Sequence, residues 1–207
     1  MDIFGIYKKL HKIYGPQKWW PVKYNKKNPG FEISVGAILT QNTSWKSAEK
    51  ALECLHENKL LNAKAIGRCS TAKLRKCLRS SGYYKQKSKK LKIFCDWINK
   101  NFDGNLKKFF KKPPATARKE LLSVWGIGPE TADSILLYAG NKPIFVIDAY
   151  SKRLCERMNH KYSSYDVCQK YFESKLPKSA KLFQEYHALI VASGKDKHEK
   201  ICQTQTH

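Results

Sequence analysis

Gly126-Ile127-Gly128-Pro129 reads as a tight turn entering a helix. Such a turn takes residues able to adopt φ > 0, and Pro129 fits the first turn of the helix that follows. Backbone N–H groups there point outward at the positive end of the helix dipole, an arrangement that holds a phosphate. The same residues equally suit an ordinary αα-hairpin whose glycines serve packing. About 20 residues downstream, Asp148 follows the apolar run Phe145-Val146-Ile147 and precedes a helical pattern. A lone Asp in that place is most often an N-cap. The helix start also favours its ionised form, and an ionised carboxylate can stabilise a developing cation or orient a water. Trp19-Trp20-Pro21 lies in a polar, Pro- and Lys-rich segment between Gly15 and Gly30, and Trp45 follows the polar stretch Gln41–Ser44. Core packing is the usual fate of tryptophan, but the Trp-Trp-Pro segment has no periodic partners. Indoles also stack on nucleobases and attract cationic rings.

The composition favours a polyanionic partner. The chain has 207 residues, with 40 Lys and Arg against 17 Asp and Glu, and a formal charge of +23. Such an excess repels itself in a compact monomer, and a phosphate backbone relieves it. Nucleic acid comes first and an anionic membrane second; an ordinary neutral metabolic enzyme is excluded as the default. Hydrophobic residues at 42% suffice for a core, which excludes wholesale disorder. The length fits one large domain or two small ones. No apolar run reaches the roughly 18 residues of a membrane helix, and Met1–Leu10 lacks a signal peptide's apolar stretch. A cytoplasmic, DNA-associated protein is expected. The seven cysteines are Cys54, Cys69, Cys77, Cys95, Cys155, Cys168 and Cys202, an odd number with no C-x-x-C pair. They predict reduced thiols, mostly in cores, and neither a disulfide framework nor a zinc site. The basic stretches Lys85–Lys92 and Lys107–Lys112 read singly as solvated helix faces.

The periodicity is helical nearly throughout. Phe31, Val35, Ile38 and Leu39 share one face, and the polar stop Gln41-Asn42-Thr43-Ser44 follows. Ala48, Ala51, Leu52 and Leu55 line a second helix. Ser70 caps a third that ends at Gly82. Lys87 to about Asn101 forms a basic helix with Leu91, Phe94 and Ile98 inward. After the break at Pro113-Pro114, Thr116 caps a short helix. Leu182, Phe183, Tyr186, Leu189 and Ile190 mark a last one. Only Pro143–Ile147 reads as strand, so the fold class is all-α.

Together, several segments resemble the helix–hairpin–helix (HhH-GPD) DNA glycosylases of the endonuclease III superfamily. They are the hairpin, the apolar run into Asp148, FEISVGAILTQN from Phe31 to Asn42, and SGYYKQKSKKL from Ser81 to Leu91. The resemblance runs from about Trp19 to Lys195. The WWP segment, LTQNT with its following aromatic, and Glu130 in the hairpin look most like the monofunctional 3-methyladenine branch. The resemblance implies an all-α, two-lobed fold with a cleft between lobes. Residues 31–142 would form a helical barrel-like lobe, with the hairpin at about 117–139. Residues 1–30 and 143–207 would form the second lobe, and the cleft would hold Asp148, Trp20 and Trp45. Asp148 is implied as the catalytic carboxylate, with Trp19, Trp20, Pro21, Trp45 and Lys195 around a flipped base. Gln41 and Tyr83 are implied as wedges that fill the vacated hole. Gly126, Ile127, Gly128 and Thr131 are implied to grip one strand's backbone. The implied activity is base excision repair: a monomer, without metal, hydrolyses the N-glycosidic bond of a damaged base in double-stranded DNA, an alkylated purine such as 3-methyladenine favoured.

Two positions depart from the wider pattern. Bifunctional members carry a lysine where this chain has Glu130, and a carboxylate cannot form their Schiff base; Glu130 also complements the helix dipole. Many relatives end in four cysteines holding a 4Fe–4S cluster. The tail Gly194–Cys202 has one cysteine, so no cluster is expected. The residues leave open a uracil or mispaired-thymine glycosylase, an endonuclease III-like glycosylase with AP lyase activity through another lysine, and a non-enzymatic helix–hairpin–helix DNA-binding protein.

Overall fold

The computed structural model describes residues 2–158 and 164–196, and among these all regular structure is helical. In chain order the helices are α1 (Ile3–Tyr14), α2 (Pro29–Leu39), α3 (Trp45–Glu57), α4 (Ala63–Arg68), α5 (Thr71–Leu78), α6 (Tyr84–Phe102), α7 (Pro114–Leu122), α8 (Pro129–Ser134), α9 (Ala149–Arg157), α10 (Tyr165–Lys175) and α11 (Ala180–Lys195). The chain divides into two compact units. One takes the chain up to Pro21 and from Asn141 onward, and the other runs Val22–Gly140.

In the Val22–Gly140 unit, α2 is the central helix. Every residue from Phe31 to Leu39 is buried, because α3, α6, α8 and the π-helical segment Ile135–Ala139 pack around it. A helix that is apolar nearly all round belongs in a core. Its one charged residue, Glu32, is 1% exposed. The carboxylate accepts from the backbone N–H groups of Lys23 (2.8 Å), Tyr24 (3.0 Å) and Asn25 (2.5 Å). That folds the preceding chain back over the start of α2. Glu32→Ala strands these donors and is expected to lower unfolding free energy by about 2–5 kcal/mol. A denaturant titration showing a loss under about 1 kcal/mol would mean that the loop re-pairs elsewhere.

Ser70 caps α5 by accepting from Lys73 N, and a 3-10 turn then runs to Gly82, as the sequence predicts. Leu91, Phe94 and Ile98 of α6 are fully buried. That helix starts at Tyr84, earlier than Lys87, because Tyr83 adopts a left-handed conformation (φ 45°) and serves as its N-cap. Lys87 belongs to a stretch read as solvent-facing, yet it is 2% exposed. Its Nζ donates to the carbonyls of Leu39 (2.8 Å) and Ser81 (2.6 Å), satisfying the open end of α2. Burial, and then the neighbouring Lys90, pulls its pKa down to about 8. Thr116 does not cap α7: the helix already begins at Pro114, with Pro113 as N-cap.

The other unit packs α1 and α9 against α11. Phe145 stacks on Phe172 with ring centroids 4.3 Å apart, and Phe183 and Tyr186 meet Phe145 edge-on. Pro143–Ile147 is extended and largely buried but is not a strand. Side chains of α10 and its start take the place of a neighbouring strand. Phe145 N donates to Glu173 Oε1 (2.8 Å), Gln169 Nε2 to Phe145 O (2.6 Å), and Ile147 N to the Tyr165 hydroxyl (3.3 Å). Cys155 of α9 and Cys168 of α10 form a disulfide, against the expectation of reduced thiols throughout. The two lie on facing helices, a pairing that spacing alone does not reveal. Cys77 and Cys95 are buried free thiols, as expected of core cysteines. No helix among the described residues is long and apolar enough to cross a membrane.

Candidate active site and DNA interface

Asp148 is the N-cap of α9. Its Oδ1 accepts from Tyr150 N (3.0 Å) and Ser151 N (2.8 Å), so the apolar run anchored on α10 delivers the carboxylate to a helix start. Its Oδ2 lies 3.6 Å from His187 Nε2 on α11, and both side chains are mostly buried. Burial pushes the Asp148 carboxyl up, but the adjacent His187 and the Ser151 bonds together outweigh it and hold the group below its ordinary value. The site therefore favours the ionised carboxylate in a mostly buried setting, with one oxygen spent on the helix and the other facing an imidazole. A carboxylate held below its ordinary value stays charged and is a good electrostatic partner for a cation.

The unit that holds Asp148 also holds Trp19, Trp20, Pro21 and Lys195. The indoles of Trp19 and Trp20 are tilted at 49° with centroids 5.2 Å apart, across a cis peptide bond. Both are half-buried, so neither is a core tryptophan. Lys195 is exposed at the last position of α11. Trp45, Gln41, Tyr83 and the hairpin fall in the Val22–Gly140 unit. Trp45 is half-buried as the first residue of α3.

The hairpin consists of α7, the turn 123–128 and α8. Gly126 has φ +87°, which only glycine takes readily, and a Cβ there would lie 2.5 Å from Lys90 Cγ. Gly128 is different: its φ of −91° suits any residue, and a Cβ there meets nothing within 4 Å. The fold does not demand glycine at Gly128, but an anion approaching the α8 N-terminus does benefit from the open space. Ile127 is buried beneath the turn, Thr131 is buried in α8, and Glu130 is exposed in its first turn. Gln41 Nε2 donates to Gly126 O (3.2 Å) and Thr131 Oγ1 (2.9 Å). Tyr83 is 65% exposed.

Sequence reading missed two residues. His187 was hidden between the inward apolar positions of α11; an imidazole on such a face was the available signal. Trp125 is the other, 51% exposed directly before the Gly-x-Gly turn. Lys89 Nζ sits 4.5 Å from its ring centroid, which makes a cationic, aromatic surface beside the hairpin.

The segment that holds this hairpin and the capped aspartate matches a known class. Residues 35–178 match the HhH-GPD superfamily of base excision DNA repair proteins, and the chain belongs to that family of DNA glycosylases. A provisionally named DNA repair glycosylase of Methanocaldococcus jannaschii is 44% identical over 193 residues, covering 91% of this chain and 85% of that protein. The structure is also similar to the H. pylori 3-methyladenine DNA glycosylase bound to 1,N6-ethenoadenine, with a TM-score of 0.81, 32% identity, and coverage of 94% of this chain and 98% of that one. A trapped endonuclease III–DNA covalent intermediate shares the fold at a TM-score of 0.76 and 20% identity, covering 91% of this chain and 83% of that one.

Proposed function

We propose that this chain is a monofunctional glycosylase that releases an alkylated purine from double-stranded DNA. The observation that carries the reading is Asp148, mostly buried at the start of α9, with its carboxyl held below the ordinary range and Oδ2 beside His187. As the bond from C1′ to the base nitrogen breaks, the electron pair leaves with the base and the sugar becomes cationic. Asp148 stabilises that charge. Water then bonds to C1′, and its proton passes through the carboxylate to solvent. A purine alkylated at N3 or N7 is already cationic and becomes neutral on leaving, so no general acid is required. Trp19, Trp20 and Pro21 supply stacking surface in the same unit, and indoles favour a cationic ring by roughly 1–2 kcal/mol. Lys195, exposed at the end of α11 in the same unit, is our candidate for a cation at the pocket's rim. Glu130 stands where a lyase needs its amine, which supports hydrolysis to an intact abasic site. The tail's single cysteine, Cys202, lies outside the described residues. Four thiolates hold a 4Fe–4S cluster, and no group of three or more metal-ligating side chains occurs among the described residues. The one cysteine of the tail supports a chain without a cluster, and no step is assigned to one.

His187→Gln removes what most lowers the Asp148 pKa and leaves burial to raise it. The acid limb of kcat/KM is expected to move to higher pH. The sign follows from ionisation: a depressed carboxyl contributes stability above about pH 4 that is lost as pH falls through its folded value. An acid limb unmoved in His187→Gln would detach the imidazole from Asp148.

The substrate class is tested by comparing release of 3-methyladenine and of uracil from matched duplexes. Preferential methyladenine release is expected. Preferential uracil release would reassign the pocket, and release of neither would leave a DNA-binding hairpin protein.

A further inference from the structure

Gln41 is half-buried, with both ends of its side-chain amide engaged. Its amide nitrogen is bonded to the hairpin at Gly126 O and Thr131 Oγ1, and its Oε1 accepts from Lys90 Nζ on α6. The aliphatic stem of Lys90 lies against the turn itself, since a Cβ on Gly126 would meet Lys90 Cγ, Cδ and Cε at 2.5, 3.0 and 3.1 Å. One turn earlier on α6, Lys87 pins both Leu39, where the Gln41 loop begins, and Ser81, before Tyr83. All of these residues lie in the Val22–Gly140 unit.

We propose that Lys90 is a positioning residue that couples the hairpin's grip on a phosphate to the orientation of Gln41. An ammonium has three N–H donors. One holds Gln41 Oε1, and the others are available to an anion arriving at the Gly126–Gly128 turn. One cation thus ties the phosphate contact to the amide that fills the hole left by an extruded base. Thr131 closes the link, because its hydroxyl accepts from Gln41 and keeps its own proton to donate. The Gly126 requirement has a second cause here: a side chain would displace Lys90 as well as strain the turn. This inference rests on the proposed action on duplex DNA.

The test is a double-mutant cycle on Gln41→Ala and Lys90→Met, with Lys90→Arg as the conservative variant. Single-turnover release of a methylated purine is measured from a duplex and from the same strand unpaired. Each single change is expected to slow duplex release by about tenfold, with the double variant no slower than the worse single. Lys90→Arg should regain most of the rate. Gln41→Ala should slow release from the single strand, where no hole needs filling, much less than release from the duplex. Multiplying effects in the double variant, or an equal loss for Gln41→Ala on both substrates, would overturn the coupling. Fluorescence of 2-aminopurine in a bound duplex reads base unstacking without chemistry. If wild type released no base, the glycosylase reading would fall, and non-additive fluorescence changes would still decide the coupling.

Discussion

Asp148→Asn is expected to slow base release by about a thousandfold while leaving duplex affinity within about threefold of wild type. Asparagine keeps the cap, because its side-chain oxygen still accepts from Tyr150 N and Ser151 N. Helix α9 therefore persists, and the change is one of charge alone. In the proposed reaction the lost charge is the one that stabilises the developing oxocarbenium ion. Its setting is mostly buried, where a charge interaction is far stronger than in water. Single-turnover release and a binding titration on the same duplex separate the two quantities. A variant that kept more than about a tenth of the wild-type rate would remove Asp148 from the reaction.

The second large effect is on the hairpin. Arg118 Nε and Nη2 donate to Asp133 Oδ1 and Oδ2 at 2.8 and 3.2 Å, joining α7 to α8. The Asp133 side chain is wholly buried and that of Arg118 is 22% exposed. Arg118→Ala leaves a buried carboxylate without its guanidinium, which costs about 3–5 kcal/mol. In a chain of this size that lowers Tm by roughly 6–20 °C. Replacing both partners with apolar residues, Arg118→Met with Asp133→Leu, is expected to recover much of the loss, because no charge is then stranded. A thermal melt in which Arg118→Ala falls by less than about 2 °C would show that the pair contributes little.

Much of this was legible in the sequence because its signals are local. Ser70 and Asp148 were readable as caps, since capping depends on one side chain and the next few N–H groups. The helical lettering of Phe31–Leu39 and of α6 was readable from period alone. What the sequence hid depends on contacts distant along the chain. The backbone of Pro143–Ile147 looks like a strand because it is apolar and extended, and only α10 shows that side chains satisfy it. Lys87 looks like one more surface lysine until Leu39 and Ser81 close around it. The Cys155–Cys168 bond and the His187–Asp148 pair each join two helices, and neither leaves a mark in spacing. Gly126 and Gly128 look equivalent in Gly-x-Gly, yet only Gly126 has the backbone that requires glycine.

The most direct test of the account is the wild-type protein on duplex DNA carrying a methylated purine, with free base and strand breaks scored before and after alkali. Free methylated base with intact strands is expected, and breaks at the same positions only once alkali is added. Strand breaks without alkali would contradict hydrolysis by Asp148 alone and assign the chain a lyase amine. Intact strands with no free base would contradict the glycosylase reading of the site.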